Sequence, residues 1–242
     1  MKTIKTRALV LREYEAGESD KRLLLLCKGY GRLFVYARGA RKPKSKFMAA
    51  AQLFTYADMV IGEGRGFFTL NQASIIESFY NLRADYDALC CAHVVTEICE
   101  KSVLENEDCD ALLQLTLKTL NHLSKNTLPP IQVLSVYMLR FFLWYGVAPQ
   151  LTGCCICGKE DTLKFCAEGL LCCPHTLPHI TLSPPTLAAM RHIFEQDLSK
   201  AFLFNAAEPV IQELKNTAEM LWRCHFEWEL RSFYSFFSGI PK

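Results

Sequence analysis

Along residues 1 to about 80 the apolar positions fall in short runs separated by glycines, and several of the runs alternate. Ile4–Leu11, Arg22–Cys27, Arg32–Arg38, Leu53–Ile61 and Phe67–Ile76 are rich in β-branched, aromatic and aliphatic residues, the composition that suits a pleated, half-buried surface. Within Leu53–Ile61 the residues Leu53, Thr55, Ala57, Met59 and Ile61 share one face and Asp58 lies on the other, which is the period of a strand. Gly29 and Gly31 mark one turn, and Gly62, Gly64 and Gly66 another. Five closely spaced strands without room for crossover helices predict a small antiparallel barrel, and the OB-fold is the commonest five-stranded answer.

After about residue 81 the period becomes helical. Leu82–Leu104 reads as a first helix, and Asp108 or Asp110 caps a second that carries Leu112, Leu113, Leu115, Leu117 and Leu120. Pro129 and Pro130 open a third, which ends at Gly146. Ser183, before Pro184 and Pro185, is the expected N-cap of a fourth. A last long helix is predicted from about Glu208 to Phe237, with Val210, Leu214, Leu221 and Phe233 on its buried side. The chain is thus predicted to be α+β, with a barrel domain at 1–80 and a helical domain at 81–242. A cysteine-rich insert occupies about 150–178.

Half of the 242 residues are hydrophobic and 21% are charged, which fits a globular chain and excludes a disordered one. The most apolar window, Ile131–Ala148, is interrupted by Gln132 and Arg140; an arginine near a bilayer centre costs about 2.5 to 3.5 kcal/mol on insertion scales, so a buried core helix is predicted there. The first residues lack the apolar stretch of a secretory signal, and a cytoplasmic location is expected. Cys90, Cys91, Cys99, Cys109 and Cys224 lie in apolar helical text and read as reduced, buried thiols. Residues 1–80 hold 14 Lys and Arg against 7 Asp and Glu, a net +7; the other 162 residues hold 13 against 18, a net −5, which together return the overall +2. A basic module joined to an acidic one points to a polyanionic partner at the N-terminal end.

Two stretches carry chemistry. In the insert, Cys154-x2-Cys157-x14-Cys172-x2-His175 has the spacing of a tetrahedral zinc site, in which a two-residue gap lets one tight knuckle present two ligands. Cys155 and Cys173 are then expected to point elsewhere, although either substituting for its neighbour gives an alternative register. Four thiolate or imidazole ligands close the metal shell, so the zinc is predicted to be structural. His225 and Glu227 form a His-x-Glu pair like that of the zinc deaminases, but it lies downstream of the cysteines rather than upstream. The second stretch, 38–46, holds Arg38, Arg41, Lys42, Lys44 and Lys46 and no acid. With Gly39 and Pro43 it is expected to be a mobile, extended loop whose cations follow a phosphate backbone, while Phe34 or Tyr36 offers a ring to bases.

Several segments resemble the bacterial recombination mediator family RecO. ALVLR at 8–12 and GESDKR at 17–22 are similar to that family's opening strand and loop, and GRL at 31–33 followed by ARGARKPKSK at 37–46 is similar to its AKGARKPKS signature. LRFFLWYGVAP at 139–149, running into Cys154-x2-Cys157-Gly158, resembles its LLGYAP run before a zinc insert. The chain departs from many members in having His175 where they have cysteine. The resemblance implies an OB-fold followed by a helical domain with a structural Zn2+. It also implies a non-enzymatic role in DNA repair and recombination inside a bacterium, at the nucleoid. Implied partners are single- and double-stranded DNA, RecR, and the acidic C-terminal tail of single-stranded DNA-binding protein. Members anneal complementary strands and, with RecR, load RecA onto coated DNA. The expected DNA contacts are Lys21, Arg22, Arg38, Arg41, Lys42, Lys44 and Lys46, with Arg32 a weaker one; Arg140 is either a contact for the acidic tail or a buried structural arginine. A zinc-containing RNA-binding or regulatory protein shares the basic barrel, and a zinc hydrolase requires an open metal position that the four-ligand spacing does not leave.

Overall fold

The computed structural model describes residues 2–64, 66–160, 164–172 and 177–237. Five strands, β1 (Lys2–Ala16), β2 (Asp20–Cys27), β3 (Gly31–Ala37), β4 (Tyr56–Glu63) and β5 (Phe68–Glu77), close a barrel in the order β1-β2-β3-β5-β4, the arrangement of an OB-fold. The ladder is antiparallel except at β3 and β5, which pair in parallel through Val35 with Phe68 and Tyr36 with Thr69. Closure depends on the length of β1. Its first half pairs with β4, from Lys2 opposite Glu63 to Leu9 opposite Tyr56, and its second half with β2, from Ala8 opposite Cys27 to Ala16 opposite Asp20. A register shift between Val10 and Arg12 marks the irregularity at which the strand bends from one partner toward the other.

The interior holds Ile4, Ala8, Val10, Leu23, Leu25, Leu33, Val35, Met59 and Ile61. Leu9, Leu11, Leu24 and Leu26 are equally buried but lie outside that cluster, because α1 (Tyr86–Ser102) packs on β1 and β2. The unbroken apolar run Leu23–Leu26 therefore has protein on both faces. β4 starts at Tyr56, not Leu53: Phe54 takes a left-handed backbone (φ 69°) and sets its ring against His93, 5.4 Å between centroids.

α1 is shorter at both ends than the apolar pattern suggested. A 3-10 turn covers Tyr80–Ala84, Asp85 then caps the helix by accepting from Ala88 N at 2.9 Å, and Val103 leaves it in extended form. The chain next crosses the β2–β3 turn, where Asn106 N donates to Tyr30 O (2.9 Å) and Arg32 N to Leu104 O (3.1 Å). Gly31 allows this crossing: its φ is +67° and an added Cβ would lie 2.1 Å from the Leu104 oxygen. α2 (Asp110–Lys125) follows and packs on α1, with the Asp108 carboxylate accepting from Asp110 N.

Contacts gather the described residues into two compact units. One comprises the barrel, α1, α2 and the segment from Ser232 on; the other is Asn126–Arg231. The second is built on α3 (Pro130–Tyr145), buried from Gln132 to Leu139 and closed by Gly146 in a left-handed cap. No helix among the described residues is long and apolar enough to cross a membrane. α4 (Pro184–Glu195), N-capped by Ser183 as expected, and α5 (Glu208–His225) pack on α3. Between α3 and α4 lies a small sheet of β6 (Lys164–Cys166), β7 (Gly169–Leu171) and β8 (Ile180–Thr181), in the order β7-β6-β8.

The single last helix expected from Glu208 to Phe237 is instead two. α5 ends at His225, where Phe226 turns to extended backbone, and α6 (Arg231–Phe237) begins after a bend at Glu227 and Trp228. In the break Phe226 and Leu230 are buried, Trp228 is half-buried, and Glu227 and Glu229 face solvent. Phe226 packs on Trp222 (4.5 Å) and Tyr145 (5.0 Å), and Trp222 Nε1 donates to Trp228 O at 3.2 Å.

Candidate nucleic-acid interface and metal centre

The metal centre starts from a glycine-bounded knuckle. Cys154 N donates to Lys159 O (2.7 Å) and Gly158 N to Cys154 O (2.9 Å), folding 154–159 into a tight loop. Gly153 and Gly158 both have positive φ, and a Cβ on Gly153 would meet Gly158 O at 2.6 Å. The loop presents Cys154 and Cys157 together, and the chain leaving β7 brings Cys172 to them. The three sulfurs lie within 4.8 Å of one another, with Cys157 and Cys172 at 3.4 Å. A tetrahedral zinc with Zn–S bonds of about 2.3 Å sets its sulfurs about 3.8 Å apart, so the cluster has the dimensions of such a site.

Its electrostatics also suit a cation. Burial pushes the Cys154 thiol up, but N–H groups of Cys157, Cys172 and Ile156 aim at its sulfur and outweigh burial, holding its pKa at about 5. Cys172 goes the other way: burial and then its two thiol neighbours raise it to about 12. One thiolate is therefore ready and the next is opposed by like charge, a conflict that a divalent ion removes. Cys155 points away from the cluster, with Sγ 3.9 Å from Cys166 Sγ and its N–H bonded to Leu170 O. His175, expected as the fourth ligand, and Cys173, its alternative, lie outside the described residues.

The basic stretch is not the extended loop that its glycine and proline suggested. It is a run of turns tied to the barrel at several points. Gly39 N donates to Asp20 Oδ1 (2.7 Å) and Arg41 N to Ser19 O (2.9 Å), while Ala40 and Phe47 are buried in the barrel core. Arg38, Arg41, Lys42, Lys44 and Lys46 all face solvent. Arg41 pairs with Glu15 (3.0 Å) and Lys46 Nζ reaches Asn71 O (3.2 Å), which positions these cations along one rim.

The other predicted contacts are more enclosed. Lys21 pairs with Glu13 and donates to Ala51 O at 3.1 Å. Arg32 donates to Glu100 O in α1, where Arg12 pairs with the Glu100 carboxylate. Arg22 lies over the Phe34 ring, 4.0 Å from its centroid. Arg140 is half-buried in the other unit, and its Nη1 donates to Ile193 O (3.0 Å), Phe194 O (3.3 Å) and Gln196 O (3.0 Å), closing the C-terminal end of α4. Sequence reasoning overlooked Tyr14 and Phe67, which join Phe34 and Tyr36 on the outer face. The alternation of β1 and the glycines before Phe67 were the signals that pointed to them.

Comparison with known proteins decides the family. The family models for Recombination protein O N terminal and Recombination protein O C terminal match residues 1–79 and 83–233. The chain belongs to the RecO family. A DNA repair protein RecO of Acetivibrio thermocellus is 32% identical over 226 residues, covering 90% of each chain. One from a Thermoanaerobacter species is 29% identical over 241 residues, 96% of each, and one from Exiguobacterium sibiricum is 35% identical over 195 residues, 78% of each. RecO is a family of DNA repair and recombination, and its two domain descriptions meet where the barrel gives way to helices.

Proposed function

We propose that this chain is a non-enzymatic recombination mediator. It binds single- and double-stranded DNA on the barrel, anneals complementary strands, and with RecR helps to load RecA onto DNA coated by single-stranded DNA-binding protein. The observation that carries this reading is the cationic rim. Arg38, Arg41, Lys42, Lys44 and Lys46 are exposed on a segment anchored by its own backbone, so phosphates meet pre-positioned charge. Lys21 and Arg22 pair with Ala37 and Tyr36 beside the start of that rim, Arg32 lies at the other end of β3, and all three add to the positive charge of residues 1–80.

Cys154, Cys157 and Cys172, with His175 as fourth ligand, are proposed to hold Zn2+ in a closed shell that cross-links the knuckle to the chain leaving β7. When bound, the ion neutralises the thiolates and fixes the insert; it offers no open position for chemistry. The acidic tail of single-stranded DNA-binding protein is assigned to the helical part. Arg140 there has one nitrogen committed to the end of α4, so a tail contact would use the remaining edge of its guanidinium. The reading places the protein in the bacterial cytoplasm, at the nucleoid.

The test is an annealing assay on complementary strands coated with single-stranded DNA-binding protein, with and without RecR, with RNA strands as competitor. Acceleration by the protein, greater with RecR and resistant to RNA, is the expected result. Absence of acceleration on both bare and coated strands would sink the reading.

A further inference from the structure

The barrel's outer face carries more exposed aromatic surface than the cationic rim accounts for. Tyr14, Phe34, Tyr36 and Phe67 are 36–42% exposed. They are contiguous because of strand register. Tyr14 is opposite Arg22, Arg22 is opposite Tyr36, and the parallel contact of Tyr36 with Thr69 brings the residues entering β5 alongside. Phe34 shares the outer face of β3 with Tyr36, two residues away. The rings form two couples, Tyr14 with Phe34 at 6.5 Å and Tyr36 with Phe67 edge-on at 6.4 Å. Scattered single hydrophobic residues need no explanation, but a contiguous apolar strip marks a binding surface.

Arg22 adds a second observation. Its guanidinium sits over Phe34, and its Nε is buried with no hydrogen-bond partner. The group is held by the ring face rather than by a carboxylate, and a planar cation on an aromatic ring extends the stacking surface. The row ends at Tyr36 and Ala37, and the next residue, Arg38, begins the cationic rim. Phosphate-binding charge and ring faces therefore adjoin along one strand.

We infer that Tyr14, Phe34, Tyr36 and Phe67, with Arg22 stacked on Phe34, form a platform that takes the faces of unpaired bases and so sets a preference for single strands over duplex. The inference rests on the reading of the barrel as the DNA-binding surface. Phosphate contacts are common to single strands and duplex, whereas bases inside a duplex have their faces covered by their neighbours. Only an unpaired base has a face to give.

The experiment uses the full zinc-loaded chain and fluorescence anisotropy at several salt concentrations. The probes are a single strand, the same strand with a central abasic tract, and the duplex. With the parent protein, the abasic strand, equal in phosphates, is expected to bind about ten-fold more weakly than the intact one. The double variant Phe34→Leu, Tyr36→Leu is expected to lose about ten-fold for the intact single strand, to bind abasic and intact strands alike, and to keep its duplex affinity and salt slope. Tyr36→Phe, which keeps the ring, should retain single-strand affinity. Equal binding of abasic and intact strands by the parent, an arm that needs no variant to fold, would overturn the platform while leaving the DNA-binding reading intact. A parent that binds neither strand nor duplex removes both.

Discussion

At Gly31 the absence of a side chain decides whether the segment after α1 can cross the barrel. Gly31→Ala places a methyl group 2.1 Å from the Leu104 oxygen on a left-handed backbone and is expected to cost about 2 to 4 kcal/mol, read as a lower midpoint in urea unfolding. The cysteines allow an equally local prediction. Cys157→Ser and Cys172→Ser each remove one of three gathered sulfurs, and bound zinc measured by atomic absorption should fall well below one per chain; Cys155→Ser, whose sulfur faces Cys166, should leave it at the parent level. The gathering of Cys154 and Cys157 was legible from residue order because a two-residue gap dictates a knuckle. The roles of Arg22 and Arg140 were not, since whether a guanidinium meets a ring, three carbonyls or water depends on elements distant in sequence.

Among the elements, α1 holds the titration behaviour of its unit. His93, half-buried between Phe54 and Phe236, is depressed below 6.5 first by burial and then by Arg12. A depressed imidazole costs no stability above its unfolded value and destabilises the fold as pH falls through 6.5 toward the folded value. His122 on α2, lowered by burial and two lysines, acts in the same direction. Glu97 is raised by burial, but hydrogen bonds from Lys101 and Ser232 outweigh that and hold it below 4.5; its contribution is present above 4.5 and is lost as pH falls through the folded value. Thermal midpoints should therefore decline first below about pH 6.5 and again below about pH 4.5, and His93→Phe should flatten the first decline. The cap is a separate test: Asp85→Ala removes the bond to Ala88 N and should cost about 1 kcal/mol. Most elements were legible because their apolar period has one meaning. The final helix was not legible because the interruption at Phe226–Leu230 is a bend accompanied by packing of Phe226 on Trp222 and Tyr145, contacts that no local period signals.

For the whole molecule, charge is the quantity to test. Removing one rim cation should weaken DNA binding and flatten its salt dependence, because each phosphate neutralised contributes about 0.7 to 0.9 to the slope of log K against log salt. Arg41→Ala is expected to lower the slope by about that amount for single strands and duplex alike, measured by anisotropy titration between low and moderate salt. An unchanged slope would mean that the rim does not meet phosphate. This signature separates the rim from the aromatic platform, whose variants should alter single-strand affinity at constant slope.

Residue order by itself determined the α+β division, the strand-rich basic start, the helical remainder, the cysteine knuckle and the resemblance to one repair family. Each of these is a local property: a period, a spacing or a run of like charge. Tertiary structure alone decided that Leu23–Leu26 is buried on both faces, that the rim is a tethered set of turns, that Arg140 closes α4, and that Tyr14 and Phe67 share a surface with Phe34 and Tyr36. Those outcomes depend on barrel closure and helix packing, which bring together residues far apart in the chain, and no local pattern encodes who the neighbour will be.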